Sequence, residues 1–144
     1  MGQLEQLEGR IGYVLKQVDV LLRAEMENVL RPLDLTVAQY ACLEVLDERG
    51  AQSSAELARA SFVSRQSMNV MLKTMEKHGW VQAVDVTGGG RVRPFQITPQ
   101  GEVGLAPARE AVLEVEERMV AGLSGKEQSV LLRLLSVCMK RLDV

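Results

Sequence analysis

Between residues 4 and 30 the apolar positions Leu7, Ile11, Val14, Leu15, Val18, Leu21, Leu22, Met26 and Val29 recur at gaps of three and four, with Gln, Lys, Glu and Arg between them. That spacing predicts one long amphipathic helix. Arg31-Pro32 ends it, because proline disfavours helical geometry in the residue before it. Thr36 is placed to cap a second helix that carries Tyr40, Leu43, Val45 and Leu46 and closes near Gly50. Ser53 and Glu56 have capping-box spacing and open a short helix ending near Ala60. After Ser61-Phe62-Val63, Ser64 caps a further helix that runs to about His78 and stops at Gly79. Two helices joined by about three or four residues form a helix-turn-helix.

Residues 80–86 and 92–98 are rich in β-branched and aromatic types and flank Thr87-Gly88-Gly89-Gly90, which predicts a hairpin with a flexible tip. Pro94 restricts the second run to an edge strand. Thr98-Pro99 starts a long helix reaching about Leu123, and Ser124 with Glu127 repeats the capping-box spacing before a last helix through Val130, Leu131, Leu134, Leu135 and Cys138. The fold class is therefore mainly α, an α+β winged helix. Its winged helix-turn-helix lobe covers residues 32–101, with the helix-turn-helix at 53–78 and the wing at 80–98. Residues 1–31 and 102–144 are outer helices.

Composition changes this picture in one respect. The formal net charge is −2, which alone argues against a nucleic-acid partner. Yet residues 61–100 hold five basic against two acidic side chains, whereas the flanking segments are acidic in balance. Such a local excess is what a DNA footprint requires. Aromatics are only 3% of a chain that is 47% hydrophobic, so the core is aliphatic and helical in character. The acidic, polar N-terminus lacks signal-peptide features and no stretch approaches about 20 apolar residues, so a soluble cytoplasmic protein without membrane contact is expected. Cys42 and Cys138 are too far apart for a zinc spacing and predict no metal site, and no cofactor motif is present.

In the second helix of the helix-turn-helix, Met68, Met71, Leu72 and Met75 form an apolar face, while Arg65, Gln66, Asn69 and Lys73 occupy the other side, with Ser64 and Ser67 near its start. A helix in the major groove needs that division. Arg meets the two acceptors of guanine, Gln and Asn meet adenine, and serines at a helix start join backbone N–H groups on a phosphate. No carboxylate falls between residues 61 and 75. Arg91 and Arg93 beside the glycine-rich tip suit a wing that enters the minor groove.

The segments DLTVAQYACLEVL at 34–46, SSAELARASFVSRQSMNVMLKTMEKHGWV at 53–81 and RVRPFQITPQG at 91–101 resemble the MarR family of bacterial regulators. The resemblance implies a winged helix-turn-helix whose outer helices interlock two subunits into a homodimer. It further implies a near-palindromic double-stranded DNA operator and a repressor released by a small aromatic or phenolic effector. By position, Tyr13, Gln17, Tyr40 and Cys42 are the candidates to line an effector pocket, with core packing as the competing role for Tyr40 and Cys42. Family wings usually carry an Asp two residues before the wing Arg; here Gly89 stands at that place before Arg91, which removes the ion pair that aims the arginine.

Two other readings compete. Overall acidity favours a winged helix used for protein–protein contact and oligomerisation, and the Arg, Gln, Asn and Lys of the helix face oppose it. A cysteine-oxidation sensor would need a thiol activated by nearby cations; Cys42 has none in sequence, and Cys138 has Lys140 and Arg141. Catalysis is not expected, because the single histidine, His78, abuts the helix-stopping Gly79 and the carboxylates show no pairing suited to acid–base work.

Overall fold

A computed structural model describes residues 3–85 and 93–143. The elements follow the predicted order: α1 (Gln3–Glu8), α2 (Ile11–Leu30), a 3-10 turn (Arg31–Leu33), α3 (Val37–Arg49), α4 (Ser54–Ala60), α5 (Arg65–Lys77), β1 (Val81–Ala83), β2 (Phe95–Ile97), α6 (Pro99–Met119) and α7 (Gly125–Leu142). The single first helix expected from periodicity is instead two, parted at Gly9 and Arg10, where Arg10 is extended with φ −96° and ψ 121°. The apolar spacing continues across the break, but Gly9 weakens a helix interior by about 1 kcal/mol relative to alanine.

Local chemistry sets most of the other boundaries. Thr36, Ser53 and Ser124 each accept from a backbone N–H three residues on, and Gln39, Glu56 and Glu127 reach back to the capping residue's own N–H. The backbone N–H bonds hold the Glu56 and Glu127 carboxyls below the usual glutamate range. Gly50 and Gly79 close α3 and α5 with φ of 78° and 76°, values that favour glycine. α6 stops at Met119, short of the expected Leu123, and carries Pro107 in its interior.

The core joins the end of α2 to the winged-helix elements and to α6. Leu30, Leu43, Leu46, Leu57, Met68, Leu72, Met75, Val81, Leu105 and Val112 are all buried within it. The Met68, Leu72 and Met75 stripe is fully inside and Met71 is half-buried, so α5 presents its other side to solvent. β1 and β2 pair antiparallel with Val81 opposite Ile97 and Ala83 opposite Phe95. β2 is not the free edge expected from Pro94: Phe95 also exchanges two backbone bonds with Gln52, at 2.8 and 3.0 Å, while Pro94 lies just outside the strand. α6 is fastened to the base of this hairpin, because Gly101 lets it approach so closely that a Cβ there would collide with the Trp80 carbonyl oxygen.

α7, although eighteen residues long, buries none of them. Val130, Leu131, Leu134, Leu135 and Leu142 are exposed along it, as are Ile11, Val14, Leu15, Val18 and Leu21 on α2. Among the described residues no helix is long and apolar enough to cross a membrane.

Candidate nucleic-acid interface

The helix-turn-helix is α4, a short turn, and α5. Ser64 caps α5 by accepting from the Ser67 N–H at 3.1 Å, and its hydroxyl donates to Ser67 Oγ at 3.0 Å. The first turn of α5 contains no acidic residue. Ser64, Arg65, Gln66, Ser67, Asn69 and Lys73 are all exposed. None takes part in an ion pair among the described residues, so the Arg65 and Lys73 charges face solvent uncompensated. Backbone N–H groups at the start of α5, two hydroxyls and the Arg65 guanidinium thus share one end of the helix. Gln66, Asn69 and Lys73 continue along its outer face. This arrangement can grip a phosphate at the helix start and offer donors to base edges beyond it.

Two exposed apolar residues at this site were not singled out in sequence. Val70 is 64% exposed on the outer face of α5, and Phe62 in the turn is 88% exposed. The only sequence signal for Val70 was its lack of register with the Met68, Leu72 and Met75 stripe. Arg93 is exposed, two residues before β2 begins. Arg91 and Gly89 lie outside the described residues. His78, at the C-terminal end of α5, stacks its ring on Trp80 with centroids 4.8 Å apart.

The four effector candidates divide into two pairs. Tyr40 and Cys42 belong to the core, and the Tyr40 hydroxyl donates to Glu44 Oε2 at 2.8 Å. Burial and the adjoining Glu44 carboxylate raise the Tyr40 pKa well above the ordinary tyrosine range, so the phenol stays neutral. Burial alone pushes the Cys42 thiol up to about 12. Tyr13 and Gln17 sit one turn apart on α2, with Gln17 Nε2 donating to the Tyr13 hydroxyl at 3.2 Å. None of the four lines the open cavity of about 310 Å³ between α2 and α6. That space has Val18, Leu21, Leu22, Val115 and Met119 as its floor and the Arg118–Glu25 ion pair, at 3.0 Å, on its rim.

A further polar cluster was invisible in sequence. Arg109 of α6 donates from Nε to Glu44 at 2.8 Å and from Nη2 to Asp47 at 2.7 Å, tying α6 to α3. Those two carboxylates raise the Arg109 pKa further above an already high value. Among the described residues no group of His, Cys, Asp and Glu is arranged to hold a metal ion.

Comparison with known proteins bears on this geometry. A family model described as "MarR family" matches residues 33–92. The chain is 34% identical over 125 residues to the HTH-type transcriptional repressor Rv2887 of Mycobacterium tuberculosis, covering 87% of this chain and 90% of that protein. The crystal structure of Rv2887 with salicylic acid superposes with a TM-score of 0.76 at 33% identity, over 90% of this chain and 96% of the other. The Rv2887 complex with DNA gives 0.74 at 32% identity, over 90% and 98%. The repressor CouR bound to a 23-mer DNA duplex shares the fold at 24% identity, with a TM-score of 0.84 over 96% of this chain and 99% of that one. With the capped α5, the short hairpin and the outer helices in the same order, this chain belongs to the MarR family of winged-helix transcriptional regulators.

Proposed function

We propose that the chain acts in the cytoplasm as a homodimeric repressor that lays two copies of α5 into successive major-groove segments of a near-palindromic operator. The observation that carries this reading is the outer face of α5, where Ser64, Arg65, Gln66, Ser67, Asn69 and Lys73 are exposed together and, among the described residues, in no ion pair with a carboxylate. Ser64, Ser67 and the α5 N-terminus hold phosphate, Arg65, Gln66 and Asn69 read base edges, and Lys73 adds backbone affinity. Arg91 and Arg93 extend the contact into the minor groove. Residues 32–101 form the DNA-binding lobe, and residues 1–31 and 102–144 pair the subunits by covering the exposed apolar faces of α2 and α7. A two-fold axis then sets the half-sites about one helical turn apart.

The effector in this reading is a small aromatic or phenolic anion, of the kind of the salicylic acid found in complex with Rv2887. The space between α2 and α6 supports it, with an aliphatic floor for a ring and Arg118 to meet a carboxylate; Tyr13 and Gln17 are candidate polar contacts on α2.

The test is selection of bound sequences from a random duplex pool, followed by affinity measurements over a salt series with and without aromatic acids. Affinity should fall steeply as salt rises. Arg65→Ala and Asn69→Ala should each cost about five-fold to 100-fold at the selected operator, from about 1–3 kcal/mol per base contact, with the dimer intact by sizing chromatography. Binding that ignores salt, or variants that keep full affinity, would refute the assignment.

A further inference from the structure

Phe62 stands in the turn between α4 and α5, two residues before the Ser64 cap. Two independent features set it apart. Its side chain is 88% exposed, the most exposed large apolar side chain in the described lobe of residues 32–101. Its backbone φ is +60°, in the left-handed region that a bulky side chain disfavours. Among the described residues Asp34 is the other non-glycine residue there, and its short polar side chain tolerates that conformation. A phenylalanine has no comparable compensation, and a ring so exposed gives the core nothing in exchange. The neighbouring backbone holds the strained turn in place: Ser61 N–H donates to the Leu57 carbonyl at 2.9 Å and Val63 N–H to the Ala58 carbonyl at 3.1 Å. Backbone strain that the surroundings enforce is found preferentially where a side chain must be presented for function.

What Phe62 is presented to follows from its place in the chain. It belongs to none of α2, α6 and α7, whose apolar faces await a second subunit. It adjoins the end of α5 that gathers Ser64, Arg65 and Ser67, and no carboxylate lies within residues 61–75. We infer that Phe62 is an apolar DNA contact, its ring lying against the deoxyribose edge of the strand whose phosphate meets the N-terminal end of α5. The inference rests on the DNA-binding reading above and adds to it a sequence-independent, uncharged anchor.

The test compares the wild-type dimer with Phe62→Asn, Phe62→Gly and Phe62→Tyr at the selected operator, measuring affinity over a salt series, melting temperature and oligomeric state. Asn and Gly both accept the left-handed turn without a ring, so their melting temperatures should equal or exceed that of wild type. Their affinity should fall about ten-fold. The slope of log affinity against log salt should not change, since no phosphate charge is involved. Phe62→Tyr keeps the ring and should bind within about two-fold of wild type. Ring-less variants that bind as wild type would overturn the inference while leaving the α5 reading standing. So would an affinity loss that merely tracks lower stability, or one that accompanies dissociation of the dimer, which would make Phe62 a protein contact. A wild-type chain that binds no duplex would overturn both.

Discussion

Val70 sits in the middle of the polar face of α5, in line with Gln66 one turn before and beside Asn69 and Lys73, with 64% of its surface open to solvent. In a helix that reads DNA this is a place for contact with a thymine methyl group, the one apolar feature of the major groove. A reading based on donors and cations passes over it, because an aliphatic residue carries no such signal. The two cysteines show the opposite case, where identical chemistry in sequence is separated by burial. Cys42 is fully buried and burial pushes its thiol up to about 12, so at pH 8 it stays protonated. Cys138 is exposed on α7. A chromogenic thiol reagent at pH 8 should therefore modify at most Cys138 in the folded protein, and Cys138→Ser should abolish the reaction until denaturant is added. Rapid reaction of the Cys138→Ser variant would show that Cys42 is reachable and would reopen an oxidation-sensing role.

Helix boundaries were legible wherever a side chain satisfies the helix end by itself. Thr36, Ser53, Ser64, Thr98 and Ser124 all cap the helices predicted from them. Elements depart from the sequence pattern where the deciding contact lies elsewhere: the first helix breaks at Gly9 and Arg10 within an unbroken apolar spacing, and β2 gains a second neighbour in Gln52, more than forty residues upstream. The joint between α6 and the wing base depends on Gly101, whose helical backbone gives no hint in sequence that Trp80 presses on it. Gly101→Ala should destabilise the protein by roughly 1–3 kcal/mol, although alanine is the better helix former, because backbone meets backbone and neither can give way cheaply. Thermal unfolding measures this directly. A melting temperature at or above that of wild type would mean that the approach of α6 to Trp80 is looser than the structure has it.

For the whole molecule, the unpartnered faces carry the argument. α7 has no buried residue, and Leu131 and Leu135 look across an open groove towards Val14, Leu15 and Met119. A second subunit that fills this groove would fix the separation of the two α5 helices, so pairing and operator affinity are one property. Leu131→Glu combined with Leu135→Glu should yield a monomer with unchanged helical circular dichroism at low concentration. Its operator affinity should fall by about 100-fold or more, because the second half-site no longer binds intramolecularly. Sedimentation and binding on the same sample check the pair, and a persistent dimer with full affinity would assign these helices another role. The Arg109 bridge to Glu44 and Asp47 belongs to this scale too, linking α3 of the winged-helix region to the long helix α6. At 41% side-chain exposure Arg109 is partly screened by solvent, which keeps the stability gained from each pair small.

Sequence by itself determined the order of elements, their caps, the apolar stripe of α5 and the polar face opposite, because each depends on residues within one or two turns of each other. Tertiary structure alone decided that Tyr40 and Cys42 belong to the core, that Gln52 pairs with Phe95, that Arg109 finds two carboxylates more than sixty residues away and that Phe62 stands in the open with a left-handed backbone. The physical reason is the same throughout. Periodicity and capping are short-range and survive in a linear reading, whereas burial and long-range pairing depend on which surfaces the packed chain brings together.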